Sequence, residues 1–235
     1  PDEETTNNQI SKLFPRRRIT TPSLPTVDRK EVPPFKMEEL KQAARETKNR
    51  KAPGPDGITP EMVKAIVEEY PEEILDVMNK CIMDGEFPKI WKVGRLVLLE
   101  KENKGDGDGR SYRPICLLDT CGKLLERMIR GRLEESISER GGLYVHQYGF
   151  RKKRSTIDAV RTVQKTVEEI KKTSYKHRKV AVMVAVDIKN AFNTADWSIT
   201  LQELEKRNVQ PYLIRVIKSY LEDRWIETEY GGMFQ

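Results

Sequence analysis

Asp187 closes an apolar run, Val180-Ala181-Val182-Met183-Val184-Ala185-Val186, with no polar residue between. Such a run reads as a strand buried on both faces. A carboxylate at its end is expensive to bury unless a metal or a basic group compensates it. A second reading stands beside that one: Asp187 sits at the exposed end of the strand and begins a turn. Two cations, Lys101 and Arg113, flank a segment of Gly, Asp and Lys from Glu102 to Arg110. If the residues on either side pair as an antiparallel hairpin, both cations share one face. Arg then offers a planar fork to phosphate and Lys a point charge; alone, they read equally as solvated hairpin charges. A third group is Arg151-Lys152-Lys153-Arg154, preceded by Tyr148 and Phe150 and followed by a helix start at Ser155. Basic charge at a helix N-terminus suits phosphate, and the aromatics can stack on bases, so this stretch reads as tracking a nucleic-acid backbone or as plain surface charge.

These groups need elements to hold them. Leu96–Leu99 and Tyr112–Leu118 read as the hairpin strands, joined by the Gly-rich tip. Ser155 with Asp158 resembles a capping box, and Ile157, Val160, Val163, Val167 and Ile170 repeat at helical spacing, which predicts a core-facing stripe. Earlier, Met37–Lys48 holds helix formers, and Ala52-Pro53-Gly54-Pro55-Asp56-Gly57 is a turn whose glycines would let backbone approach a nucleic-acid strand. Thr59-Pro60 marks a helix start, with Met62, Val63, Ile66 and Val67 as its apolar face. A further helix runs from Pro71 to Met83 and stops at Gly85. Others are expected over Gly122–Glu135, Trp197–Arg207 and Tyr212–Leu221, with a short strand at Ile226–Tyr230. Residues 1 to 35 are rich in proline and polar residues around Arg16-Arg17-Arg18, a composition that predicts a linker or a strap rather than core.

Composition excludes several classes. In 235 residues, 34% are charged and Lys plus Arg outnumber Asp plus Glu by 43 to 37, which favours a polyanionic partner without proving one. Cys81, Cys116 and Cys121 have no CxxC spacing and do not cluster with His146 or His177, so a zinc site within the chain is not expected. The Gly105–Gly109 run lacks the distal Glu of a calcium loop. Neither a Ser-His-Asp nor a Cys-His nucleophile arrangement is supported. No apolar stretch is long enough to span a bilayer. The chain does not begin with Met and reads as a piece of a longer protein.

Four segments in order resemble one family. Asp187-Ile188-Lys189-Asn190-Ala191-Phe192, Lys51–Ile58 (KAPGPDGI), Trp91–Ile129 and His146–Ala159 together resemble the polymerase of LINE-type, non-LTR retrotransposons, nearest the insect target-specific and jockey-like group. The resemblance runs from about Lys48 to the C-terminus. It implies an α+β, right-hand polymerase fragment: a Pro-rich extension over 1–35, helix-rich fingers with a β-hairpin over 36–178, and an incomplete palm sheet over 179–235, without the thumb.

The resemblance further implies an RNA-directed DNA polymerase that copies retrotransposon RNA at a nicked chromosomal target by two-metal nucleotidyl transfer. Asp187 and the Ile188 carbonyl would hold a divalent ion, Mg²⁺ or Mn²⁺. Lys101, Arg113, Ala191 and Phe192 would bind the nucleotide, with Phe192 against its sugar to reject a 2′-hydroxyl. Gln147, Gly149 and Arg151 match the family pattern for nucleic-acid contact, extended by Lys152, Lys153 and Arg154. Expected partners are template RNA, primer DNA, deoxynucleoside triphosphates, the remaining palm and thumb, and an endonuclease domain in the parent chain, with no membrane. Action in the nucleus, after cytoplasmic assembly on RNA, follows from the chromosomal target. No adjacent Asp-Asp occurs in the sequence, so the 235 residues are expected to be inactive alone. Two rivals remain: a non-catalytic RNA-binding module derived from such an enzyme, and a structural protein with architectural likeness only.

Overall fold

The computed structural model describes residues 3–14, 26–100, 112–173, 180–188, 191–229 and 232–234. It divides into two compact units, residues 1–140 with 190–235, and residues 141–189. The architecture is helix-rich α+β.

In the first unit, α1 (Glu3–Leu13) and α2 (Met37–Glu46) precede α3 (Pro60–Glu69) and α4 (Pro71–Asp84). Their boundaries follow from side-chain chemistry. Thr59 accepts the Met62 N–H at 3.3 Å, and Pro60 occupies the first turn, where a missing N–H costs nothing. Pro71 repeats the device for α4, which ends on Gly85 in the left-handed conformation at φ 65°. Strands β1 (Val93–Glu100) and β2 (Tyr112–Leu118) pair antiparallel as expected, with Leu99 opposite Arg113. Then α5 runs over Thr120–Glu139, longer than expected at both ends.

In the second unit, α6 spans Thr156–Lys172. The chain re-enters the first unit with α7 (Ala191–Thr194), α8 (Trp197–Lys206), α9 (Pro211–Leu221), β3 (Trp225–Glu227) and β4 (Met233–Phe234). Strand β3 pairs parallel with β1 and antiparallel with β4, giving a sheet of order β2-β1-β3-β4.

The first unit's core is built from one face of each longer helix: Leu40 of α2, Val63 and Val67 of α3, Met78 and Ile82 of α4, Leu124, Leu125 and Met128 of α5, Leu201 of α8, and Leu213 and Val216 of α9. Residues before α2 also contribute, against the expectation from composition. Val32 and Phe35 are buried in that core. The proline-rich backbone there is satisfied by side chains from elsewhere. The Asn79 amide bonds both the N–H and the carbonyl of Phe35, and Arg132 donates to the carbonyls of Pro33 and Pro34. Arg132 also pairs with both Glu39 oxygens at 2.8 and 2.9 Å and lies over the Phe35 ring. So residues 26–36 act as a strap that is also part of the core. Arg16, Arg17 and Arg18 lie outside the described residues.

Two expectations fail in the second unit. The stripe on α6 is not core: the helix has no buried residue, and Ile157 is 61% and Val160 57% exposed. Nor is Val180–Val186 a strand; residues 180–188 have no regular secondary structure and Val180 is 90% exposed. The physical reason is shared. An apolar stripe or a β-branched run states which face can be buried, whereas a strand exists only when another strand completes its ladder. Among the described residues none pairs with 180–188.

Candidate functional site

The basic group of the second unit is a built loop. Residues 144 to 154 lead into α6, where the expected capping box is present: Ser155 Oγ accepts the Asp158 N–H at 3.2 Å, and Asp158 Oδ2 accepts the Ser155 N–H at 2.9 Å. The Ser155 hydroxyl, 2.7 Å from Asp158 Oδ2, and the Ser155 N–H hold the Asp158 carboxyl below its usual range. An acidic side chain therefore already occupies the start of α6, so a phosphate would meet the loop's cations rather than a bare helix end.

The loop is braced from inside. Tyr148 shares a 2.6 Å hydrogen bond with Thr162 of α6, and the Arg154 guanidinium stands 5.7 Å over the Tyr148 ring. Arg151 donates to the Tyr144 carbonyl at 3.0 Å, and the Gln147 amide reaches the Gly149 carbonyl. Phe150 and Lys153 both have positive φ, near 56° and 60°. Bulky residues rarely hold that conformation, and here it turns the Phe150 ring outward, 94% exposed. Lys152, Lys153 and Arg154 are exposed on the same loop. Thus Gln147, Gly149 and Arg151–Arg154 are brought together, with exposed aromatic rings at Tyr144 and Phe150 among them.

Asp187 is exposed, and its Oδ1 accepts the N–H of Ile188 at 3.0 Å. Of the two readings, the exposure of the carboxylate is what the structure has, though no strand leads into it. Its second oxygen and the neighbouring carbonyl are hard donors, the kind that suits a Mg²⁺ ion completing its shell with water and substrate oxygens. Among the described residues no three acidic, His or Cys side chains gather into a closed cage. The donors therefore fit part of a divalent-ion site.

Arg113 is exposed on β2, opposite Leu99 and on the face shared with Val97 and Ile115. Ala191 is exposed at the first residue of α7. Phe192 lies in that helix with its side chain outside the described part, and Lys101 lies outside the described residues altogether. Asp187 and Ile188 belong to the second unit; Arg113, Ala191 and Phe192 belong to the first.

Sequence reasoning missed a clasp around Lys51–Ile58. Asp119 begins α5 yet makes no capping hydrogen bond; its Oδ1 accepts the Asp56 N–H at 3.2 Å. Thr120 donates to the Ile58 carbonyl at 2.8 Å, and Arg95 of β1 to the Pro55 carbonyl at 3.3 Å. A methyl on Gly54 would strike the Asp119 carboxylate and the backbone of Leu118 and Asp119. That glycine thus serves a close approach to the chain's own backbone. No local signal marks it, since neither side chain caps α5 and their partners lie 63 and 62 positions back. Burial pushes the Asp119 carboxyl upward, and the adjoining Asp56 carboxylate adds to this against the stabilising Asp56 N–H.

The reverse transcriptase (RNA-dependent DNA polymerase) family profile matches residues 100–235. Relatives include the Retrovirus-related Pol polyprotein from type-1 retrotransposable element R1 of Bradysia coprophila, 35% identical over 74% of this chain and 17% of its own. The Probable RNA-directed DNA polymerase from transposon BS of Drosophila melanogaster is 31% identical over 82% of this chain and 21% of its own. The RNA-directed DNA polymerase from mobile element jockey of Drosophila melanogaster is 30% identical over 83% and 21% respectively. The chain spans about a fifth of the length of the relatives it matches.

Proposed function

Because this chain belongs to the reverse transcriptase family, among relatives from insect non-LTR retrotransposons, we propose that it forms the fingers and the first part of the palm of an RNA-directed DNA polymerase. In this reading residues 36–178 are fingers, 179–235 begin the palm, and 1–35 are an extension whose last residues serve the fingers core. The parent protein copies retrotransposon RNA into DNA from a primer at a nicked chromosomal site, in the nucleus. The observation that carries the reading is Asp187: an exposed carboxylate beside a backbone carbonyl, inside the family-matched region and five residues before Phe192.

Each group then has a task. Asp187 and the Ile188 carbonyl would hold one of two divalent ions, Mg²⁺ or Mn²⁺. When bound, such ions activate the primer hydroxyl as a nucleophile and neutralise charge on the departing pyrophosphate. Arg113, with Lys101, binds and orients the triphosphate of the incoming deoxynucleotide. Ala191 and Phe192 line its sugar and exclude a 2′-hydroxyl. The braced loop with Gln147, Gly149 and Arg151–Arg154 tracks the template strand by its phosphates, while Phe150 offers a stacking face. No adjacent Asp-Asp pair occurs in these 235 residues, so by this reading they do not complete the reaction alone.

The test is primer extension by the full-length protein carrying Asp187→Asn. Extension falls to background while RNA affinity stays unchanged; extension at the wild-type rate overturns the catalytic reading and leaves an RNA-binding module in its place. In the same assay Phe192→Val admits ribonucleotides, and unchanged sugar discrimination removes the gate.

A further inference from the structure

We propose that Asp119 is a positioning residue for nucleotide binding: with Thr120 and Arg95 it clasps residues 54–58 to the base of the β1–β2 hairpin and so aims Arg113. The proposal rests on the reading of Arg113 as a triphosphate ligand.

The clasp is specific in a way that ordinary packing is not. A carboxylate at a helix start gains a ready-made capping bond by bonding its own helix. Asp119 forgoes that bond and reaches 63 positions back to Asp56, although it is 2% exposed and its burial disfavours the charge. The loop it meets is shaped to receive it. Gly57 donates to the Gly54 carbonyl to close a turn, and the Asp56 side chain accepts the Ile58 N–H at 2.9 Å, leaving the Asp56 N–H for Asp119. Gly54 removes the side chain that would block the approach. Three independent bonds, from Arg95, Asp119 and Thr120, then hold consecutive parts of one turn.

All three grips issue from one end of the hairpin. Arg95 stands opposite Leu117, and Asp119 and Thr120 follow Leu118 directly. Arg113 lies toward the other end, on the same face as Leu117 and Arg95. Six residues of strand are roughly 20 Å long, so a tilt of about 3° at the clasp moves Arg113 by about 1 Å. A displacement of that size is enough to cost on the order of a hundredfold where a ligand must be held in a reactive pose.

The experiment is steady-state incorporation of a deoxynucleoside triphosphate by the full-length protein, with Asp119→Ala, Arg113→Ala and the double variant. Asp119→Ala raises KM for the triphosphate about tenfold or more with a smaller change in kcat, and RNA affinity does not move. Asp119→Asn rescues, because its amide oxygen still accepts the Asp56 N–H. The double variant is no worse than Arg113→Ala alone, since one loss acts through the other. Should Asp119→Ala fail to fold, Thr120→Val removes a single grip and raises KM severalfold by the same route. Effects of Asp119 and Arg113 that multiply, or a triphosphate KM unchanged by Asp119→Ala or Thr120→Val, overturn the proposal while leaving Arg113 a ligand. A KM indifferent to Arg113→Ala overturns both the proposal and the ligand reading beneath it.

Discussion

Helices α6 and α9 carry comparable apolar stripes and meet different fates. On α9, Leu213, Ile214 and Val216 are buried among side chains of the first unit's core. On α6, Ile157, Val160, Val163 and Val167 stay exposed. The pattern within a helix sets the direction of its apolar face, and the surrounding chain alone determines whether anything covers it. Local periodicity is thus a statement about capacity for burial. The same holds for Val180–Val186, whose composition is that of a buried strand and whose described surroundings supply no ladder.

The sharpest way to break this contrast is to truncate both stripes. Leu213→Ala opens a cavity at a fully buried site and should destabilise the first unit by about 2–5 kcal/mol. Val163→Ala, on a half-exposed face, should change stability by less than about 0.5 kcal/mol. Urea unfolding followed by far-UV circular dichroism reads the helices of both units, while tryptophan fluorescence reads the first alone, because Trp91, Trp197 and Trp225 all lie in it. Comparable losses from the two variants would mean that α6 has a burial partner in solution.

A second contrast sets Arg132, a largely buried tie of the first unit, against the exposed cations Lys152, Lys153 and Arg154 of the second. Arg132 pairs with Glu39, bonds two proline carbonyls and covers Phe35, with a side chain 11% exposed. Its replacement by Ala removes the donor to the Pro33 and Pro34 carbonyls and to the half-buried Glu39 carboxylate and uncovers the Phe35 ring, and should cost about 1–3 kcal/mol in the same unfolding measurement. Lys would rescue little, because an ammonium cannot reproduce the planar fork.

What sequence alone could reach follows a physical line. Thr59-Pro60, Pro71, Gly85 and the Ser155–Asp158 box were legible because each acts within one turn of backbone. The hairpin strands were legible because a Gly-rich tip joins them. By contrast, the core role of Val32 and Phe35 depends on Arg132 and Asn79, far along the chain. Asp119 was illegible for the same reason: its partner is 63 positions distant. At the candidate site, the basic loop could be read from composition, but its bracing through Tyr148, Thr162 and Arg154 could not. The exposure of Asp187 was one of two readings that the apolar run left open.

Changing Lys152, Lys153 and Arg154 together to Ala tests the exposed cations of the second unit. RNA affinity should drop about ten- to a hundredfold at low salt, and the dependence of log affinity on log salt should flatten by about two units if three contacts at ~0.7 each are lost. Stability of the first unit, by tryptophan fluorescence, should not change. An unaltered salt slope would remove these side chains from the RNA-contacting set.

The smallest effects are those of pH, where two carboxyls of the first unit should act with opposite sign. Glu39 is pushed up by partial burial, but the Arg132 hydrogen bonds, the Lys36 N–H and the Arg132 charge together outweigh this and hold it below its ordinary 4.5. Its contribution is therefore fully present above pH 4.5 and is lost as pH falls through the depressed value. Asp119 is raised above its ordinary 3.8 by burial and by the Asp56 carboxylate. Its folded form binds the proton more tightly than the unfolded chain does, so its contribution is complete below pH 3.8 and is lost as pH rises through the elevated value. Glu39→Gln should then flatten the acid-side loss of stability, whereas Asp119→Asn should remove a decline that wild type shows on the way up from pH 3.8. Urea midpoints collected across that range for the two variants separate the signs. If both substitutions shift the profile in the same direction, the Asp119 carboxyl is charged throughout, and its bond to Asp56 is an ordinary ionised one.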